Sequence, residues 1–146
     1  MTRVNAGIKP KELSDAMLFA EYREIKRIPN KVKNGKYNFK NEAPTEFTLN
    51  IGHELFFRDK LLYLKKKSDS LYQECLLRQI NAEDYSDAYE NLPTHLFNDW
   101  NETDKARELL KERINERLTE SKAIVRYNKQ IVEKRLLMFK LEEDGK

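Results

Sequence analysis

The chain begins MTRVN and, some twenty residues later, reads AEYREIKRIPN. An initiator methionine is ordinarily removed when a small residue follows it, so Thr2 is expected to carry a free α-amine. Such an amine has a pKa of about 7.7 to 8, against about 10.4 for lysine, so much of it is an unprotonated nucleophile near neutral pH. With a helical step of about 100° per residue, Leu13, Met17 and Ala20 form one face, Ile28 and Ile25 extend it to one side, and Glu24 falls in its middle. Arg23 and Arg27 line the edge of that face, one turn apart. A carboxylate in an apolar stripe costs several kcal/mol unless it is paired or takes up a proton. Two readings of Glu24 follow. It forms a structural ion pair, with Arg27 or an arginine elsewhere, or it is an acid/base on the floor of an anion site flanked by arginines.

The elements that must hold these residues read as helical. Gly and Pro number only four each, and Leu, Lys, Glu and Arg are abundant. A first helix is predicted from Pro10 through Arg27, stopped by Pro29. A basic loop with an Asn34-Gly35 turn follows. A second, central helix runs from Gly52-His53 to Arg78, with Ser68-Asp69-Ser70 as a kink or surface turn. It shows Leu55, Leu62 and Ile80 on one side and Phe57, Leu64 and Cys75 on another. A third helix starts near Asn101 or Thr103, both acceptable N-caps, and includes ARELLKERINERL. The closing stretch from Tyr127 also reads as helical. The expectation is therefore an all-α, compact single domain spanning residues 1–146, with three main helices and a C-terminal helical segment.

Composition narrows the class of function. With 39% hydrophobic and 36% charged residues, the chain is too apolar for disorder and too polar for a membrane protein. A lone Cys75 in an apolar helical context predicts a packed thiol and a reducing, cytoplasmic setting. His53 and His95 are isolated, so neither a metal site nor a cofactor is expected. The charge is uneven: residues 1–40 carry ten Lys/Arg against four Asp/Glu, whereas residues 41–100 carry six against eleven. A basic N-terminal segment points to a polyanionic partner.

In order along the chain, MTRVN, ELSD, AEYREIKRIP, FTLNIGHELFFRDKLLYLKKK and YQECLLRQIN resemble the pyrimidine-dimer DNA glycosylases of the phage endonuclease V type. The resemblance is close over roughly the first 80 residues and loose beyond them. It implies a compact all-α, monomeric protein that binds UV-damaged duplex DNA, attacks the sugar with its N-terminal amine, and nicks the strand at the resulting abasic site. It assigns the amine to Thr2, the essential carboxylate to Glu24, and phosphate contacts to Arg3, Arg23 and Arg27. His53 matches the motif that opens the central helix; a secondary role at the DNA and a packed or capping role both stand. Arg113 and Arg117, with Tyr127 and Lys129, are further candidates for the DNA surface, although solvated helix-face positions fit Arg113 and Arg117 equally well.

Two stretches depart from the family pattern. Where DQHL is usual before EYRE, this chain has Asp15, Ala16, Met17 and Leu18, and Met17 is expected in the core. The aromatic cluster before a YGK-like element is replaced by Ala123 to Lys129, of which Tyr127 and Lys129 remain. The rival expectation is a non-catalytic DNA-binding protein on the same scaffold, binding in a salt-sensitive way and indifferent to Glu24→Gln.

Overall fold

The structure, a computed structural model, describes residues 3–141. It is broadly helical. Its three longer helices are α1 (Asp15–Ile25), α4 (Leu61–Leu77) and α5 (Asp104–Glu120), with shorter α2 (Arg27–Lys33) and α3 (His53–Phe57) between them. No helix among the described residues is long and apolar enough to cross a membrane.

Local chemistry sets the helix ends. Ser14 Oγ accepts the Met17 N–H at 3.2 Å and Thr103 Oγ1 accepts the Ala106 N–H at 3.1 Å, capping α1 and α5. The predicted first helix is in fact divided. Pro10–Glu12 form a 3-10 turn, and Leu13 is extended at φ −96°, ψ 148°. At the other end α1 stops at Ile25 and α2 restarts at Arg27, with Pro29 inside its first turn. Proline has no N–H to offer the Ile25 carbonyl and its ring crowds that oxygen, so the chain breaks before Pro29 rather than at it.

The central helix is divided too. The interruption lies at Arg58–Lys60, between α3 and α4, and Ser68-Asp69-Ser70 continue α4 without a kink. Arg58 reaches back to the Asn38 and Asn41 carbonyls at 3.2 and 2.5 Å, and Lys60 Nζ donates to the Phe56 carbonyl at 2.8 Å. These side chains satisfy carbonyls that a continuous helix would leave elsewhere. The helix α4 closes with Gln79 at φ 57°, the Gln79 N–H on Leu76 O and the Ile80 N–H on Cys75 O, the paired bonds of a Schellman end.

The expected C-terminal helix is absent from residues 126–131. Arg126–Tyr127 (β1) and Gln130–Ile131 (β2) form an antiparallel hairpin, turned by Asn128 and Lys129 at φ 51° and 71°. Both turn residues in the left-handed region define a primed hairpin turn, which asparagine tolerates, and the flanking Ile124, Val125, Ile131 and Val132 favour extended backbone. The two turn N–H groups end on the Asp15 carboxylate at 2.9 and 2.7 Å, docking the hairpin onto the start of α1. The end of the closing stretch lies outside the described residues.

One cluster of buried side chains runs from Val4 to Leu118 and takes in α1, α4 and α5. From α5 it receives Ala106, Leu110, Ile114 and Leu118 at four-residue spacing, one face of that helix. At the start of α4, Tyr63 joins an aromatic group with Phe47, Phe56, Phe57 and Trp100, stacking on Phe57 and meeting the Trp100 ring edge-on at 5.1 Å.

Candidate active-site cavity

A cavity of about 270 Å³ opens between α1, α5 and the N-terminal arm. From α1 it receives Met17, Ala20, Glu21 and Glu24, whose i, i+3, i+4, i+7 spacing places them on one face. Arg113, Ile114 and Arg117 come from α5, and Arg3 and Asn5 from the arm. The arm and α5 are held in register by Arg107, whose Nη1 donates to the Gly7 carbonyl at 2.6 Å while its guanidinium pairs with Glu12 at 2.9 and 3.0 Å. Gly7 sits at φ +78°, and a Cβ there would lie 2.8 Å from the Arg107 Cβ, so any larger residue would push α5 away from the arm.

Two carboxylates share this cavity, one turn apart, in different environments. Glu24 has 28% of its side chain exposed and faces Arg27 Nη1 at 3.6 Å, while Arg27 itself is half exposed. Glu21 is 2% exposed and accepts the Asn5 N–H at 3.0 Å and the Asn5 Nδ2–H at 2.8 Å. Burial pushes the Glu21 carboxyl above its usual range, opposed by Lys67 and by the two Asn5 donors. The middle of the buried face therefore belongs to Glu21, among Leu18, Tyr22 and Ile25, and Glu24 stands at its rim. The sequence-based face was mis-phased because Leu13 precedes the helix. Met17 is only partly buried and lines the cavity.

The positive charge is concentrated opposite. Arg3 Nη1 is buried with no hydrogen-bond partner. Its guanidinium is drawn below its ordinary pKa by burial and by the charges of Arg113 and Arg117. Arg113 has a long contact of 3.7 Å to Glu116. Arginines that repel one another around an unsatisfied donor suit an anion with several oxygens, such as a phosphate.

The remaining candidates lie apart from the cavity lining. Arg23 is exposed, with its guanidinium over the Phe19 ring at 4.9 Å. Tyr127 donates its hydroxyl to the Lys11 carbonyl at 2.6 Å and lies on the Arg78 guanidinium at 4.0 Å, so it fastens the hairpin to the molecule. Lys129 is exposed at the hairpin turn. Thr2 lies outside the described residues. Glu21 and Asn5 were missed from sequence; the available signal was the three-residue separation of Glu21 and Glu24, which puts both on one helix face.

His53 is not a surface residue. It is 1% exposed, its Nε2 accepts the Val4 N–H at 2.8 Å, and its Nδ1 donates to the Thr48 carbonyl at 2.9 Å. Both ring nitrogens are occupied by backbone, so the expected DNA-side role gives way to anchoring the arm. Burial pushes its pKa down to about 4. The unfolded chain takes up a proton near pH 6.5 that the folded chain refuses until about pH 4, so stability rises with pH across that window. Relative to His53→Gln, the wild type should lose up to ~3 kcal/mol of stability between pH 6.5 and 4, measured by urea unfolding. Taking the difference from the variant cancels the opposite trend of Glu21, whose raised pKa favours the folded state at acid pH.

The helical scaffold brings a carboxylate and a group of arginines to one cleft, an arrangement whose charge suits a phosphate-bearing ligand. Residues 1–88 match the model of the pyrimidine dimer DNA glycosylase family. The chain belongs to that family, which acts on DNA. The matched segment supplies the arm and α1, whereas Arg113, Ile114 and Arg117 lie beyond it.

Proposed function

We propose that this protein is a DNA glycosylase with abasic-site lyase activity on damaged pyrimidines, UV dimers first among them, in duplex DNA, working through an imine on the Thr2 α-amine. The supporting observation is that Arg3, the residue after Thr2, lines the same cavity as Glu24. The amine attacks C1′ of the deoxyribose as the glycosidic bond breaks and the base departs with the bonding pair. Loss of a proton from nitrogen and opening of the sugar ring give the protonated imine. A base then removes a C2′ proton and the 3′ phosphate leaves by β-elimination. Glu24 stabilises positive charge on the sugar in the first stage and assists proton transfer in the second.

Arg3, Arg113 and Arg117 hold backbone phosphates at the cavity, with Arg23, Arg27 and Lys129 contributing from exposed positions. Extrusion of a nucleotide costs a few kcal/mol, which such phosphate contacts offset. The nucleophile is the amine and the reading calls on no metal. The hydrophobic cluster that joins the arm, α1, α4 and α5 among the described residues favours one domain, for which a monomer is the simplest state.

Sodium borohydride should trap a covalent adduct between the mature N-terminus and a duplex carrying one abasic site, seen as a band shift and located by mass spectrometry of the terminal peptide. A protein with Met1 removed that binds this duplex but yields no adduct overturns the imine mechanism and leaves the non-catalytic binder.

A further inference from the structure

The N-terminal arm is fastened by hydrogen bonds at Val4, Asn5, Gly7 and Ile8, all of them buried except the one at Gly7. Val4 donates to His53, Asn5 to Glu21, and Gly7 to Glu102 at 2.6 Å, while Lys67 Nζ donates to the Ile8 carbonyl at 2.5 Å. The Glu21 attachment differs from the others in place and cost. It grips Asn5 with both oxygens, and Asn5 and Glu21 both line the cavity that holds Glu24. A carboxylate taken out of water is expensive, and this one is held by two donors of Asn5, one of them the buried backbone N–H that an apolar side chain would leave unpaired. What the carboxylate adds is direction, since two hydrogen bonds fix both the position and the rotation of Asn5.

We propose that Glu21 is a positioning residue for the reaction, setting through Asn5 the distance between the Thr2 amine and Glu24. The inference rests on the imine mechanism above. Glu21 and Glu24 are three residues apart on one helix, an axial separation of about 4.5 Å, so a single rigid element carries both the acid and the clamp on the arm. The amine is three residues upstream of Asn5, and His53 holds Val4 between them from the other side. Shortening the clamp shifts the arm along α1 without removing any group that touches DNA.

The test compares trapping rate with binding. Enzyme in excess over an abasic-site duplex gives the single-turnover rate of borohydride trapping, and anisotropy with a tetrahydrofuran abasic analogue gives Kd. Glu21→Asp keeps the charge but withdraws it by one methylene, and should slow trapping by ~100-fold, the usual cost of about 1 Å of misplacement, while Kd stays within ~3-fold. Asn5→Asp opposes two carboxylates and should slow trapping similarly; Asn5→Asp with Glu21→Gln restores a donor between them and should recover ~10-fold of that loss. If Glu21→Asp fails to melt cooperatively, the Asn5→Asp pair decides. Trapping at the wild-type rate in a folded clamp variant, a loss lying wholly in Kd, or no recovery in the double variant overturns the inference. Absence of an adduct with the wild type overturns the imine mechanism instead.

Discussion

Glu24→Gln should reduce the single-turnover rate of base excision from a dimer-containing duplex by ~1,000-fold, about 4 kcal/mol of activation free energy. The substitution is nearly isosteric and removes only the charge. In the proposed mechanism the transition state carries positive charge on the sugar as the base departs and the imine that follows is cationic, so a carboxylate at the cavity rim would stabilise both more than it stabilises substrate. A preorganised charge of this kind contributes about 10²- to 10³-fold, and the expected loss in excision is at the upper end of that range. Binding should move the other way. Removing a negative charge beside Arg27, and across the cavity from Arg3, Arg113 and Arg117, leaves Kd for the damaged duplex unchanged or tighter. An excision rate within ~3-fold of wild type, smaller than any catalytic carboxylate accounts for, would assign Glu24 to a structural ion pair with Arg27.

The largest effect on stability is expected at Arg78, the C-cap of α4. It is 3% exposed and donates to Leu13 O at 2.8 Å, Pro10 O at 3.2 Å, Lys11 O at 3.4 Å, Asp15 at 3.0 Å and Glu74 at 2.9 Å, with the Tyr127 ring against its guanidinium. One side chain thus joins the end of α4, the turn before α1, the first residue of α1 and the C-terminal hairpin. Arg78→Met keeps most of the stem volume but leaves two mostly buried carboxylates and several carbonyls without their donor. The loss should be ~3–5 kcal/mol, the usual consequence of breaking a buried ion pair on one side. Urea unfolding measures it directly, and a loss below ~1 kcal/mol would show that water satisfies these acceptors in place of the guanidinium. Because Asp15 also accepts the hairpin turn N–H groups, the protease sensitivity of residues 121–133 should rise in this variant.

These two residues differ in how legible they were. Glu24 was singled out from sequence through its place in EYRE and its spacing, and it lines the cavity with Arg3, Arg113 and Arg117, whereas Arg23 and Arg27, which that spacing put at the edge of its face, are exposed. Its face was mis-set, because helical phase was carried back through Leu13, a residue whose extended backbone is chosen by the Pro10–Glu12 turn and the Arg78 contact to its carbonyl. Arg78 carried no sequence signal at all. Apart from Glu74, its hydrogen-bond partners lie more than sixty residues away, and any cationic helix end would read the same.

What the amino-acid order determined by itself is local. Ser14 and Thr103 cap their helices, and Leu110, Ile114 and Leu118 give α5 its buried face, because hydrogen bonds and side-chain directions within one or two turns depend only on near neighbours. The motif order over the first 80 residues likewise carried the family. Tertiary structure decided the rest. It broke the central helix at Arg58–Lys60 by offering Arg58 the Asn38 and Asn41 carbonyls, folded Arg126–Ile131 into a hairpin by presenting Asp15 to its turn, and turned His53 inward onto Val4. It also chose Glu21 over Glu24 for burial, since a carboxylate enters a core only where distant donors meet it, and Asn5 stands at that point.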